Sequence, residues 1–299
     1  MLAEHTIKRP DGRVIAVAEW GDPAGLPLIS HHGTPASRLL HWKDGSIYGR
    51  HGLRRISFDR AGYGRTTRLP GRTMADVVSD VEAIVDALDI SRFAVMGASG
   101  GAPHALATAA LLPDRVIRCM AAVCPAPFDR IDVDPLEGMN AGNVEELRAA
   151  MDGEARHRAV AEREAELSLA QLRAGRADWF GAAYEMAASD REALAADLEA
   201  DLADMEEAVG RSVDGWVDDV LAQVRPWGFD VEQIRCPVWL EYGRADQFVP
   251  PAHGDWLLAH IPGAIAVVTD AGHMPTEAAI EAAHAWLATG ESHSVRGVG

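Results

Sequence analysis

The sequence predicts an α/β fold in which a mostly parallel β-sheet is flanked by helices and interrupted by a helical insertion. Three observations support this prediction. Strand and helix patterns alternate through residues 1–125. Residues 126–229 read as helical and hold 24 acidic and 10 basic residues, and strand patterns return in residues 230–299. We therefore expect one core domain formed by residues 1–125 and 230–299, with residues 126–229 inserted into it.

The predicted strands are alternating or apolar runs that end at turn residues. In chain order they are residues 5–9, 14–20, 28–30, 56–58, 93–96, 116–123, 236–242 and 264–269. Pro10-Asp11-Gly12 separates the first two and is typical of a hairpin turn. We expect functional side chains where the parallel strands end, because ligands bind at the carboxyl edge of such sheets.

Helical spacing identifies the segments between the strands. Apolar residues recur three and four positions apart in residues 74–88, and further helices are expected to begin near Pro251 and Thr276. We predict that the acidic runs at residues 162–166 and 197–207 are solvated helix faces. The insertion has two apolar stripes, which are Leu194, Leu198, Leu202, Met205 and Val209, and Trp216, Val217, Val220, Leu221 and Val224.

Composition restricts the classes of partner. The formal net charge of −17 opposes binding to nucleic acid or an anionic membrane, because phosphate groups repel an acidic surface. No apolar run approaches a membrane span and the N-terminus lacks an apolar signal segment, so we expect a cytoplasmic protein. Cys119, Cys124 and Cys236 are expected to be buried thiols. The 12 histidines show no metal-binding spacing, so no metal or cofactor is expected. The sequence is compatible with a homodimer.

Residues 95–101, Val-Met-Gly-Ala-Ser-Gly-Gly, place a serine between glycines at the end of an apolar run. Gly-x-Ser-x-Gly is typical of a nucleophile elbow, a tight strand-to-helix turn that exposes one hydroxyl and crowds the backbone around it. Ser99 is therefore the predicted nucleophile, and an ordinary turn serine is the alternative.

A serine hydroxyl needs a base to remove its proton and an acid to orient that base. His273 lies in a glycine-containing loop after the last predicted strand, and Asp246 lies in the loop after the preceding strand. The order serine, aspartate, histidine is the one that accompanies this type of elbow. Asp129, after the sixth strand, is the alternative acid, and a turn or helix-capping role is the alternative for Asp246.

The loop after the third strand, His31-His32-Gly33-Thr34-Pro35, supplies the electrophilic part of the site. A glycine followed by a residue before proline forms a loop whose N–H groups can point inward. We assign the oxyanion hole to the N–H groups of Thr34 and Gly100.

Together these motifs resemble the α/β-hydrolase superfamily in its cap-bearing branch. The resemblance rests on His32-Gly33-Thr34-Pro35, Asp59-Arg60-Ala61-Gly62-Tyr63-Gly64, Gly97-Ala98-Ser99-Gly100-Gly101, Asp246 and Gly272-His273, and covers all but the insertion. It implies an eight-stranded sheet that is antiparallel only at its second strand, with a helical cap after the sixth strand. Residues 126–229 correspond to that cap.

Within this branch the elbow residue separates the known activities. Epoxide hydrolases and haloalkane dehalogenases with a His-Gly-x-Pro loop have aspartate at the elbow, where this chain has Ser99. Proline iminopeptidases have a related architecture, but they use Gly-Gly-Pro-Gly where this chain has Gly33-Thr34-Pro35-Ala36. The acidic cap keeps an aminopeptidase as an alternative.

Six side chains are candidates for the substrate pocket, although aromatic residues at helical spacing also serve as packing. They are His32, Trp179, Phe180, Tyr184, Met186 and Trp216. For His32 we favour a structural role in bracing the oxyanion loop over a role as proton shuttle, and we interpret His31 in the same way. We interpret His104 as a packing or hydrogen-bonded residue. Asp59-Arg60 is expected to fix the loop after the fourth strand.

We therefore expect a serine hydrolase that cleaves an ester, thioester, lactone or similar small acyl compound through an acyl-enzyme. Three alternatives remain. The same residues also serve perhydrolysis, carbon–carbon bond cleavage and lyase reactions; the cap admits an aminopeptidase of the proline iminopeptidase type; and the scaffold also serves ligand-binding receptors and pseudoenzymes.

Overall fold

In the computed structural model, which describes residues 3–40 and 45–291, eight strands form one sheet. The strands are β1 (Ala3–Lys8), β2 (Val14–Gly21), β3 (Leu26–His31), β4 (Leu53–Phe58), β5 (Phe93–Ala98), β6 (Val116–Ala122), β7 (Val238–Gly243) and β8 (Ile265–Thr269). Their spatial order is β1-β2-β4-β3-β5-β6-β7-β8. Only β2 runs antiparallel to its neighbours, β1 and β4. The predicted mostly parallel, eight-stranded sheet is confirmed.

The helices of the described residues lie on both faces of the sheet and in one block between β6 and β7. They are α1 (Ile47–Arg50), α2 (Val77–Ala87), α3 (Ala102–Leu111), α4 (Ala141–Met151), α5 (Glu154–Arg173), α6 (Ala188–Leu194), α7 (Leu198–Val209), α8 (Asp214–Gln223), α9 (Pro251–His260) and α10 (Glu277–Thr289). We call the block from α4 to α8 the cap. No helix in the described part of the chain is long and apolar enough to cross a membrane.

The sheet is buried on both faces because its central strands present apolar side chains in both directions. On one face, Val95 packs in a cluster with Leu106 of α3 and Leu257 of α9. On the other, Trp239 packs against Trp286 of α10, with 5.6 Å between the ring centroids. Each fully buried apolar side chain of this size contributes about 1.5–3 kcal/mol. The two cores hold the carboxyl edge of the sheet rigid beneath the cap.

The cap has its own apolar core, but its helices differ from the prediction. The sequence predicts one stripe from Leu194 to Val209, whereas the chain breaks between α6 and α7. Asp197 caps the second helix, since its carboxylate accepts a hydrogen bond from the Ala200 N–H at 3.2 Å. The stripe is therefore shared by two helices.

The acidic run at residues 197–207 is not a solvated face throughout, and that prediction is wrong for Asp204. Its carboxylate is 5% exposed and accepts hydrogen bonds from the N–H and hydroxyl of Ser37, at 2.9 and 2.6 Å. Burial raises the pKa of Asp204 to about 7. This carboxylate therefore joins α7 to the loop that follows β3.

Glu241 of β7 is a buried acid of a different kind. Its side chain is almost fully buried, and among the described residues the Trp239 indole interacts with its carboxyl group without forming a hydrogen bond of normal geometry. Burial raises the pKa of Glu241 to about 8. Between the ordinary pKa of a glutamate, 4.5, and about 8, the folded protein therefore keeps a proton that the unfolded chain releases. The free energy of unfolding falls as pH rises through this range, by at most about 1.4 kcal/mol per pH unit.

Glu241→Gln is expected to flatten this dependence. Urea denaturation at about pH 5 and at about pH 8 would compare the two proteins, and the variant should lose less stability than the wild type between them. Glu82→Gln, at an exposed acid on α2, is the matched control. Asp204 titrates equally in the wild type and in both variants. Equal losses of stability in the wild type and in Glu241→Gln would therefore contradict a raised pKa at Glu241.

Candidate active site

Ser99 occupies a strained turn between β5 and α3. Its φ angle is +53°, in the left-handed region that costs a non-glycine residue about 1–2 kcal/mol. A Cβ on Gly97 would lie 2.3 Å from the Gly101 carbonyl oxygen, and one on Gly101 would lie 2.3 Å from the His32 carbonyl oxygen. Only glycine fits at these two positions. The turn thus places the Ser99 side chain, which is partly exposed, at the carboxyl edge of the sheet.

His273 and Asp246 form a buried pair in the loops that follow β8 and β7. His273 Nδ1 lies 2.8 Å from Asp246 Oδ2. The other carboxylate oxygen of Asp246 accepts hydrogen bonds from the N–H groups of Phe248 and Val249, at 2.7 and 2.9 Å. An aspartate held this way keeps the proton on Nδ1 and leaves Nε2 available as a base. Asp129, the alternative acid, is exposed and borders a separate surface cleft.

Opposing effects set the protonation of His273. Burial lowers its pKa, but the charge and hydrogen bond of Asp246 and the charge of Asp190 outweigh burial, so that the pKa of His273 is raised above its ordinary value. No hydrogen bond joins the Ser99 hydroxyl to His273 in the part of the chain described. Such bonds are often long without substrate and shorten in the complex.

A cavity of about 80 Å³ opens onto Ser99. Thr34 and Gly100 line it together with the serine, and Phe248 lines it from the loop after β7. The Phe248 ring also stacks on the His273 imidazole, with 4.9 Å between ring centroids. The predicted nucleophile and the two oxyanion candidates therefore line one cavity, whereas His273 is not among the lining residues and packs against one of them, Phe248.

The Thr34 side chain is fixed by hydrogen bonds to the cap and to the loop after β4. Its hydroxyl donates to Asp219 Oδ2 at 2.8 Å, and Arg60 donates to both the Thr34 hydroxyl and the Gly33 carbonyl at 3.0 Å. The Thr34 N–H donates to none of the described residues. A Cβ on Gly100 would lie 3.5 Å from the Thr34 nitrogen, so the two predicted oxyanion donors are close neighbours.

A buried charge cluster fixes this loop to the cap, and sequence reasoning did not identify its central residue, Asp219 of α8. Asp219 accepts hydrogen bonds from Arg60 at 3.1 Å and Arg72 at 2.6 Å, and His104 Nε2 lies 3.3 Å from it. Burial raises the pKa of Asp219, but the two guanidinium groups hold it well below its ordinary value. Burial lowers the pKa of His104 to about 4. The available signal was an acidic pair, Asp218-Asp219, inside an apolar helical stripe.

His32 lies behind the oxyanion loop and is not on the cavity wall. Its Nδ1 donates to the Gly33 carbonyl at 2.8 Å and its Nε2 accepts from the Arg60 N–H at 3.2 Å. Burial and the nearby Arg60 lower the pKa of His32 well below its ordinary value. These contacts match the bracing role favoured for this residue, and they do not match its place among the candidate pocket residues. His31, also buried, lies 3.2 Å from the Thr108 hydroxyl.

The loop after β4 is held by two separate acids. Asp59 accepts hydrogen bonds from the N–H and the guanidinium of Arg38, each at 2.8 Å, whereas Arg60 pairs with Asp219 of the cap. The two neighbouring residues therefore fix the loop through different partners.

The cap forms the other wall of the cavity. Of the predicted pocket residues, four line it, namely Trp179, Phe180, Tyr184 and Trp216. Met186 does not, and packs instead against the cluster of Tyr184, Phe248 and Val249. Two acids, Glu146 and Glu164, also line the cavity, so residues 162–166 are not a wholly solvated face as predicted. Glu146 accepts a hydrogen bond from the Trp216 indole.

The amino-acid sequence of the chain is similar to those of known proteins. A family model described as alpha/beta hydrolase fold matches residues 27–277. A non-heme chloroperoxidase of Streptomyces lividans is 33% identical over 150 residues, which are 49% of this chain and 54% of the relative. A proline iminopeptidase of Xylella fastidiosa is 33% identical over 112 residues, 35% of this chain and 34% of the relative. The chain thus spans about half or less of the length of these relatives.

The same architecture occurs among solved structures. A hydrolase from Pseudomonas aeruginosa superposes with a TM-score of 0.70 at 20% sequence identity, covering 96% of this chain and 98% of the other. At this identity the likeness shows the fold alone.

Proposed function

The chain belongs to the alpha/beta hydrolase fold family, and from this premise we propose that it is a serine hydrolase of esters, thioesters, lactones or similar small acyl compounds. The observation that carries the proposal is the Asp246–His273 pair, joined at 2.8 Å on the sheet edge that also presents Ser99. Family membership supports a hydrolase, and the residues at this edge support an acyl-transfer mechanism.

In the proposed mechanism Ser99 attacks the substrate carbonyl carbon while His273 Nε2 takes the hydroxyl proton. The carbonyl oxygen gains the negative charge and is bound by the N–H groups of Thr34 and Gly100, where each donor is worth about 3–4 kcal/mol of transition-state stabilisation. Asp246 holds the imidazole tautomer and stabilises the imidazolium. The protonated His273 then gives its proton to the leaving group, and the acyl group remains on Ser99.

Deacylation repeats these steps with water. His273 takes a proton from water, the resulting hydroxide attacks the acyl carbon, and the tetrahedral intermediate uses the same two N–H donors. Ser99 leaves with the proton from His273, and the free carboxylic acid is released. These steps use three side chains and two backbone N–H groups of this chain, together with water.

Cavity size and charge support the substrate class. A cavity of about 80 Å³ exceeds the roughly 10–15 Å³ that a single water needs, so it accommodates a group of several heavy atoms. The acidic wall formed by Glu146 and Glu164 disfavours anionic substrates. We propose a neutral or cationic acyl compound with a short acyl chain.

Turnover of p-nitrophenyl esters of increasing acyl length tests the proposal. We expect release of p-nitrophenol to be fastest for acetate and butyrate and to decline for octanoate, because the cavity is small. A p-nitrophenyl ester that carries a carboxylate on its acyl chain should be the poorest of the short substrates. Absence of turnover with every ester would contradict an esterase-type function.

An aminopeptidase is the second candidate, since two carboxylates line the cavity and one relative is named a proline iminopeptidase. Glu146 and Glu164 would pair with the protonated amine of a peptide substrate. Prolyl p-nitroanilide separates the candidates when it is compared with its N-acetylated form. Cleavage of the free amine alone would favour the peptidase, and cleavage of neither would leave the acyl hydrolase.

We further propose that the protein acts in a reducing, cytoplasmic compartment. Cys119, Cys124 and Cys236 are all buried free thiols, and such residues are usual in cytosolic enzymes.

A further inference from the structure

A cap carboxylate is bound to the backbone of the loop that carries His273. Asp190 lies in the first turn of α6, and its two oxygens accept one hydrogen bond each from successive N–H groups. The His273 N–H donates to Oδ2 at 2.9 Å and the Met274 N–H donates to Oδ1 at 2.8 Å. Asp190 thus spans two residues of the loop with both of its oxygens.

The Asp190 carboxylate lies in the interior of the protein. Asp190 is 1% exposed, and a buried carboxylate is costly unless hydrogen bonds or a positive charge compensate it. Within the described residues Asp190 forms no ion pair with arginine or lysine. Its compensation comes from the two loop N–H groups and from the His273 imidazole, which is cationic whenever it holds a second proton.

Gly272 provides the space for the carboxylate. A Cβ at this position would lie 2.1 Å from Asp190 Oδ2 and 2.7 Å from Oδ1, closer than any side chain tolerates. The glycine before the histidine, which the sequence suggests for a sharp bend, therefore also admits the cap acid. With any other residue here, the Asp190 carboxylate would have to move away from the two N–H groups.

We propose that Asp190 is a positioning residue of the catalytic base, which ties the cap to the His273 loop and stabilises the imidazolium formed during acyl transfer. This inference rests on the proposed function of the same site. Asp190 is not among the residues that line the cavity. It therefore acts through His273 and does not touch substrate.

Two acids of the described residues act on the His273 imidazole through their charge. Asp246 approaches from the loop after β7 at hydrogen-bond distance, and Asp190 approaches from α6 through the loop backbone. Burial lowers the pKa of His273, and the charges of both acids raise it. Loss of the Asp190 charge should therefore make His273 easier to deprotonate, with Asp246 still in place.

Asp190→Asn tests this role through the pH profile of ester hydrolysis. The base must be neutral to act, so kcat/KM falls on the acidic side as His273 becomes protonated. In the variant this acidic limb should move to lower pH, and the ratio of kcat/KM at about pH 5 to its plateau should rise at least about threefold. The plateau kcat should fall about tenfold or more from poorer loop placement, with KM nearly unchanged.

Glu192→Gln is the matched control, because Glu192 is an exposed acid on the same helix and the same charge is removed. NMR titration of the His273 ring gives a readout that does not depend on turnover, and its pKa should fall in Asp190→Asn and not in the control. If the asparagine variant does not fold, Asp190→Ser, which keeps an acceptor without the charge, is measured in the same way.

These experiments distinguish failure of the proposed serine hydrolase function from failure of the proposed role of Asp190. Turnover that does not depend on Ser99 would overturn the proposed function. Turnover that depends on Ser99, with an acidic limb and a His273 pKa unchanged in the Asp190 variants, would overturn this inference alone. A lower kcat without any shift of the limb would show a purely structural residue and would also overturn it.

Discussion

Ser99→Ala is expected to lower kcat/KM for a p-nitrophenyl ester by about 10⁶-fold, since loss of the nucleophile in such a site removes nearly all triad-dependent catalysis. The substitution deletes one oxygen from a partly exposed side chain. It leaves the glycines of the turn and the Asp246–His273 pair in place. Folding should therefore be retained, which circular dichroism and thermal unfolding would check against the wild type.

Ser91→Ala is the matched control, because Ser91 is an exposed serine just before β5. It should hydrolyse the ester as the wild type does. Residual turnover in Ser99→Ala above about a hundredth of the wild-type rate would contradict a serine nucleophile at this position.

Asp246→Asn is expected to lower kcat by about 10⁴-fold. An asparagine amide facing His273 Nδ1 would donate a hydrogen bond where the carboxylate accepts one, so the ring proton would move to Nε2. That nitrogen could then no longer take the Ser99 proton. The substitution also removes the charge that supports the imidazolium.

Measurement of kcat for Asp246→Asn beside Asp270→Asn separates this effect from a general loss of charge near the histidine loop. The Asp270 side chain is 93% exposed, and its one ion-pair contact within the described ranges is with Arg244 at 3.7 Å. We expect the control to keep wild-type activity. A loss of less than about tenfold in Asp246→Asn would assign the acid role to another residue, since tautomer control carries most of the effect.

Local patterns predicted the core because each element there is specified by its own residues. Alternating apolar strands and helices determine a parallel sheet, and the glycines around Ser99 follow the pattern of a tight strand-to-helix turn. The loops that carry Asp246 and His273 follow predicted strands directly. Their position at one sheet edge follows from strand direction alone.

The contacts of the cap were not predictable in the same way. Asp190, Asp204 and Asp219 are three acids among 24 in residues 126–229, and their partners lie far away in sequence, in the core that surrounds the sheet edge. The high number of acidic residues in the cap favours the prediction that its acidic runs are solvated helix faces. Only the packing of the cap on the sheet shows which of these acids are buried. The raised pKa of Glu241 was not predicted, because the sequence around a single acid in an apolar strand does not show whether hydrogen-bond partners lie near it.

The most direct test of the proposed serine mechanism is covalent labelling with a fluorophosphonate, read by intact mass and peptide mapping. A serine activated by a neighbouring histidine reacts with this reagent, whereas an ordinary surface or turn serine does not. We expect one adduct per chain, located on Ser99 and absent from Ser99→Ala. No adduct on the wild type, or an adduct that persists in Ser99→Ala, would contradict a mechanism in which Ser99 is the nucleophile.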